Sequence, residues 1–303
     1  MAEKVYEIAI LGRASWNFHS LNNEGTVGNV TEPRTITLAD GSQVDGISGE
    51  MLKHIHTRCF WTLVNKNKLC DACKKLSPMK ASNNPEVNKR LKETKGKADR
   101  SQELLDVAIR CPLCDIHGFL IEEAALSRKS TVEFGWALAL PMHQSREIHT
   151  HIRVAVGEKA AEGEETPEQM VYNRPTRSGI YAIVTVFQPW RIGLNEINYR
   201  YVVDDSEIKE RYDTVIEAYK AMFVRLEGAM TTTRLPHFSG CEGVIVISKK
   251  PMPACLVSPL EDNYKSNICE VSQKVGNEVA EFSSVSELLT QLDNLKNFKP
   301  FKL

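Results

Sequence analysis

The chain has 303 residues, 42% of them hydrophobic and 25% charged, enough for a large core built as one domain with insertions or as two domains. Its 38 Lys and Arg against 39 Asp and Glu give a net charge of -1, so the molecule as a whole does not attract nucleic acid, and any RNA or DNA site must be a local basic patch. No apolar run approaches the roughly 20 residues of a membrane span, eight cysteines are too sparse for a secreted disulfide framework, and MAEKVYEIAILG leads straight into a strand pattern; a cytoplasmic protein with no membrane partner is expected.

Residues 4–16 alternate as a first strand, and the Asn- and Gly-rich residues 17–33 read as a long loop. Asp40-Gly41 between residues 34–38 and 43–47 signals a hairpin. A helix follows, with Ser48 as its N-cap, Glu50 in its first turn, and Leu52, Ile55, Cys59 and Leu63 as its buried stripe. Its other stripe holds Glu50, Lys53, His54, Thr57, Arg58 and Trp61, which suits either a solvated surface or contact with a phosphate chain.

In residues 66–110 basic side chains outnumber acidic ones and apolar residues thin out, which predicts a basic insertion with few core contacts of its own. Residues 119–126 begin a short helix or strand, and 131–140 alternate as a strand. The acidic tract GEKAAEGEETPEQ inside 141–178 predicts a mobile protrusion, and 179–188 is the most strand-like run. Asp205 or Ser206 can cap a long helix whose core face runs from Ile208 to Leu226 and ends near Gly228. Residues 243–248 are a buried strand; a Pro-rich loop and a helix with a Ser284–Glu287 capping box complete the chain. Without the insertions, the order strand, helix, strand, strand, helix, strand predicts an α+β, ferredoxin-like fold, the sheet that RNA-recognition domains also use.

Cys70-x-x-Cys73 and Cys111-x-x-Cys114 supply four thiolates for a closed tetrahedral zinc site, whose role would be structural because no coordination position is left for water. Cys59, Cys241, Cys255 and Cys269 read as small core residues. His54-x-His56 and His149-x-His151 invite a metal-dependent ribonuclease reading, but no nearby carboxylate completes either pair, and His54 and His56 point to different sides of a helix. Neither nucleotide-binding glycine motif nor a G-x-S-x-G nucleophile occurs. Three polar stretches suit a single-stranded RNA backbone: Asn17, His19, Asn22, Asn29 and Arg34; Ser48 to Arg58; and Thr231 to Arg234.

In chain order, NNEGTVGNVTEPR, ISGEMLKHIHTR, CPLCDIHGFL, RSGIYA and TTTRLPHFSGCEGVIVISKKPMPACLVSP resemble the DevR-like branch of the Cas-seven family, the backbone subunits of type I CRISPR Cascade complexes. The resemblance implies a non-enzymatic subunit that binds CRISPR guide RNA, stacks with copies of itself and with other Cascade subunits, and presents the guide for pairing with target DNA. It implies a palm at residues 1–65, 131–141 and 179–265, a finger insertion at 66–130 that carries the expected zinc, a thumb at 142–178, and an extension at 266–303. Arg34, Ser48 and Lys53 match the family's palm contacts and Arg234 its late basic loop. Asn17, Asn22, Asn29, His54 and Arg58 are RNA-contact candidates on physical grounds. The acidic thumb tract is unlike an RNA surface and is expected beyond the contact or against a protein neighbour.

Overall fold

Period-two alternation builds the central strand, Glu7–His19 (β1): Ile8 and Ile10 enter the main core, while Ala9 and Leu11 enter a smaller core on the opposite face. The computed structural model describes residues 3–154, 169–227 and 231–303. After β1 come Asn23–Val27 (β2), Val30–Pro33 (β3), Thr35–Thr37 (β4), Gln43–Ile47 (β5) and the helix Gly49–Leu63 (α1). The helices Pro85–Glu93 (α2), Arg100–Ala108 (α3) and Pro112–His117 (α4) precede Val132–Phe134 (β6), Ala137–Val154 (β7) and Gln169–Phe187 (β8). The chain continues through Asp205–Val224 (α5), His237–Ser248 (β9), Tyr264–Val275 (α6), Glu278–Phe282 (β10) and Val285–Leu295 (α7).

A mixed α/β architecture results. Among the described residues a ten-stranded sheet runs in the order β10, β9, β1, β8, β7, β5, β4; β6 also pairs with β8, and the β2–β3 hairpin joins β8 through β3. The central pairs β9–β1, β1–β8 and β8–β7 are all antiparallel. Helices α1 and α5 share the main core, where His56 of α1 lies 4.5 Å from the Tyr219 ring of α5. On the other face, α6 places Tyr264 and Ile268 against Ala9, Leu11, Val244 and Val246. No helix among the described residues is long and apolar enough to cross a membrane.

Several expectations are corrected. The Asn- and Gly-rich stretch expected as a loop carries the β2–β3 hairpin, which turns at Gly28 with φ +61°. The basic insertion has its own apolar faces: Val87 and Leu91 on α2, and Leu104, Leu105 and Ala108 on α3, all continuous with the main core. Composition misled here because short helices bury one narrow stripe and leave the lysines outside. In α1 the buried stripe is Leu52, Ile55, His56 and Phe60; Cys59 is half-buried and Leu63 is exposed. Trp61 leaves the polar stripe by donating its indole N–H to the Cys73 carbonyl (2.9 Å). Asp204, not Asp205 or Ser206, caps α5 by accepting the Glu207 N–H. Of the other cysteines only Cys241 is buried; Cys255 and Cys269 are half-exposed. Helix α5 ends at Val224 with Arg225 as its C-cap, short of the expected end near Gly228. Residues 142–154 and 169–178 form a two-stranded ribbon, whereas most of the acidic tract lies outside the described residues.

Buried charge ties the insertion to α5 and to the segment that follows β8. Asp115 of α4, fully buried, accepts from Arg128 Nη2 (2.5 Å), Arg211 Nη1 (2.7 Å) and the Gly193 N–H (2.9 Å). Arg128 also donates to the carbonyls of Leu194 and Arg191, and Arg211 to those of Ile109 and Arg110. Without Asp115, the only carboxylates left would be Glu207 for Arg211 (2.5 Å) and the more distant Glu196 for Arg128 (3.6 Å), with both guanidiniums still buried. Asp115→Ala is therefore expected to destabilise the fold by about 3–5 kcal/mol, read as a lower urea midpoint.

Burial also holds the His19 and His56 imidazoles neutral, pushing each down to about 3 from an ordinary value of 6.5; Arg177 adds to the effect at His19. Between those values only the unfolded chain takes up the proton, so this stability is complete above pH 6.5 and declines as pH falls toward 3. Urea midpoints should be level above pH 6.5 and drop between pH 6.5 and about 5, with a shallower drop in His19→Gln; equal slopes would contradict the assignment to His19.

Candidate nucleic-acid interface

The start of α1 is built by a relay of backbone contacts. Asn22, at φ +55°, turns its side chain so that Oδ1 accepts the Ser48 N–H at 2.7 Å, and Ser48 Oγ then accepts the Met51 N–H at 3.2 Å. Ser48 is buried and both polar groups are engaged inside the protein, so it positions the helix end whatever lies outside. Arg177 of β8 holds the other side of the turn by donating to the carbonyls of Leu21 and Asn22.

Beyond this end the polar face of α1 opens on a groove. A pocket of about 540 Å³ is lined by Gly49, Lys53, Lys80, Phe119, Glu133 and Trp136. Its neighbour, of about 630 Å³, is lined by Lys53, His54, Thr57, Leu76 and Lys80. Glu50, Lys53 and Lys80 belong to both, so the two form one trough between α1 and the insertion. Arg34 stands at the rim, its guanidinium 5.6 Å from the Trp136 ring and ion-paired to Glu24 at 2.8 Å. Burial pushes the Lys53 ammonium down, opposed by Glu133 and Glu50. Burial also pushes His54 down, with Arg58 adding to it; both lie exposed on the outer side of α1.

Lys80 was not singled out in sequence, and a lysine inside a lysine-rich run carries no signal for it. It sits at φ +45° and donates to the carbonyls of His117 and Gly118, each at 2.9 Å. Those carbonyls are presented because Gly118, at φ +67°, ends α4 where a Cβ would meet the Arg128 carbonyl at 2.4 Å. Burial, then Lys53, push the Lys80 ammonium down to about 8.

Three of the remaining candidates lie beside the β7–β8 ribbon. Asn17 Nδ2 donates to Ser239 Oγ (2.6 Å), the Asn29 carbonyl accepts the Asn173 N–H (2.7 Å), and Arg234 Nη2 donates to His151 Nε2 (2.7 Å). Arg234 is only 6% exposed, less available than a loop arginine should be. The structure thus brings together Asn22, Arg34, Ser48 and Lys53, and separately Asn17, Asn29 and Arg234.

Among the described residues neither histidine pair belongs to a group of three metal-ligating side chains. His56 Nδ1 is buried 3.0 Å from His117 Nε2 while His54 faces outward, and His149 Nε2 lies 2.9 Å from Thr176 Oγ1. Among the described residues the one group of three or more metal-ligating side chains is Cys70, Cys73, Cys111 and Cys114, whose Sγ atoms lie within 4.8 Å of one another. Cys73 and Cys114 are 3.5 Å apart, near the ~3.8 Å edge of a tetrahedron with metal–sulfur bonds of about 2.3 Å. Cys70 and Cys111 are the N-caps of short helices, so each C-x-x-C wraps one helical turn. Contacts with Cys114, Cys70 and Cys73 hold Cys111 far below the usual thiol range, while contact with Cys111 pushes Cys114 far above it. Four thiols this close cannot all ionise by themselves, and a bound dication removes that conflict.

Residues 10–268 match the family described as CRISPR-associated negative auto-regulator DevR/Csa2. The CRISPR-associated protein Cas7/Cst2/DevR of Methanocaldococcus jannaschii is 28% identical over 323 aligned positions, covering 94% of this chain and 98% of the relative. One chain of a CRISPR RNA-guided surveillance complex, pre-nicking, shares the fold at a TM-score of 0.55 and 12% identity, covering 96% of this chain and 99% of that one. With 10–268 spanning most of its length, the chain belongs to the DevR/Csa2 family of CRISPR-associated proteins.

Proposed function

We propose that the chain is a non-catalytic backbone subunit of a type I Cascade surveillance complex, which binds CRISPR guide RNA, stacks with copies of itself and other subunits along it, and presents it to target DNA. Family membership over residues 10–268 carries this reading, and the relative that matches end to end supports it. In such a complex base pairing reads the target, so the protein needs backbone contacts more than base contacts. The trough holding Lys53 and Lys80, with Arg34 at its rim, offers cations for that purpose although the net charge is near zero. Three of the four histidines of the ribonuclease alternative, His56, His149 and His151, are engaged with His117, Thr176 and Arg234, which favours the non-catalytic reading.

The palm is ferredoxin-like on this proposal: β1, α1, β7, β8, α5 and β9 occur in the required chain order, and the sheet order β9, β1, β8, β7 agrees. Residues 66–130 are the fingers, 142–178 the thumb, and 266–303 the extension. Zinc on Cys70, Cys73, Cys111 and Cys114 would brace the fingers, and its chemistry there is to lock four thiolates in place.

Arg34→Ala with Lys53→Ala should weaken guide-RNA binding. If each cation meets one phosphate, the slope of log affinity against log salt should flatten by about 1.4; an unchanged slope and affinity would remove both residues from the interface. Metal analysis should find one zinc per chain, lost in Cys73→Ser, and a chelator should lower the thermal midpoint of the wild type but not of the variant.

A further inference from the structure

The last residues of β1 lie between two irregularities. On one side Arg177 pairs with His19 and Gly179 with Trp16, so Asn17 and Phe18 together oppose Ser178. On the other side Phe238 pairs with Trp16 and Gly240 with Ser15, so Ser239 is an extra residue in β9. Each bulge is pinned by a side chain: Ser178 Oγ accepts the Phe18 N–H at 2.9 Å, and Ser239 Oγ accepts from Asn17 Nδ2. The bulge against β8 holds one residue more than its partner strand, and β9 ends its pairing at Asn17, so the last residue of that bulge is free to turn away from the sheet.

That residue is Phe18, with φ +53° and 43% of its surface exposed. Left-handed backbone is costly for a bulky side chain, and exposure of the ring returns little burial to offset it. The ring meets His149 edge-on, with centroids 5.4 Å apart. Opposite His149 in the ribbon is Arg174, whose guanidinium lies 4.7 Å from the Tyr172 ring; Tyr172 stacks on His151 at 5.4 Å and 13°. His149, His151, Tyr172 and Arg174 thus share one face of the ribbon, with Glu147 3.4 Å from His149, while exposed Ile148, Ile152 and Val171 share the other with Arg146 and Arg177. An open aromatic face beside arginine is the surface on which single-stranded bases stack while their phosphates are neutralised.

We propose that Phe18 is a stacking platform for one unpaired nucleobase of bound single-stranded RNA, with Arg174 beside it for the adjoining phosphate. The proposal rests on the guide-RNA reading and adds to it a base contact independent of the α1 trough. Full-length protein is titrated with short single-stranded RNAs carrying 2-aminopurine at successive positions. Wild type should quench the fluorescence at one position. Phe18→Ala should abolish that quench and weaken binding by about 5- to 100-fold, Phe18→Tyr should restore both, and the thermal midpoint of Phe18→Ala should not fall. Equal quenching and affinity in wild type and Phe18→Ala would overturn the platform and leave the guide-RNA reading intact. Loss of self-association in Phe18→Ala with RNA affinity unchanged would also overturn it, marking a protein contact instead. Failure of the wild type to bind RNA at low salt would overturn both readings.

Discussion

The carboxylate of Asp115 is surrounded by two guanidiniums and a backbone amide that come from distant parts of the chain. It lies one residue after Cys114, so the cysteine cluster and the ion network share the helix α4. Arg211 carries the connection into α5, and Arg128 carries it to the hairpin returning from the insertion and to the segment around Leu194. None of these charges is tolerable in the core alone, so each enforces the placement of the others. The trough beside α1 inherits its shape from this arrangement, because Lys80 is fastened to the carbonyls that end α4.

At the opposite side of the trough one buried guanidinium joins uncharged polar groups. Asn22 and Ser48 fix where α1 begins, and Arg177 fixes where Asn22 can be. Lys53 and His54 therefore project from a helix whose origin is set by the strand β8. Since β8 is also one side of the ribbon, the α1 surface and the ribbon surface are referred to one common strand.

Features encoded in a few adjacent residues were legible in the sequence. Ser48 caps α1, Asp40-Gly41 turns the β4–β5 hairpin, Ile208 to Phe223 form the core stripe of α5, and the two C-x-x-C pairs meet. Others depend on partners far along the chain. The ribbon has no period-two pattern because Arg and Thr stand on both faces and the Ile and Val of one face alternate with Arg146, Thr150 and Asn173. Helix α6 buries only Tyr264, Ile268 and Ser272, too few for a periodic signal. Lys80, Arg177 and Phe18 are ordinary residues until the fold brings a carbonyl, a turn or a bulge to them.

The pairing of β7 with β8 runs from Leu138–Ala182 and Ala139–Tyr181 to Gln144–Gly179, so Leu140 to His143 face a single residue, Ile180, which pairs instead with Ser15 of β1. Beyond that step the register continues without a break from Gln144 to Val154. Eleven paired positions at about 3.3 Å each make an arm of roughly 36 Å. The sheet holds the near part of this arm, since Arg177 pairs with His19 of β1 and Asn173 with Val30 of β3. Past Asn173 four pairs, His151–Tyr172 to Val154–Gln169, carry the ribbon a further ~13 Å with no third strand among the described residues. Most of the ribbon's reach is thereby set by strands that also build the core.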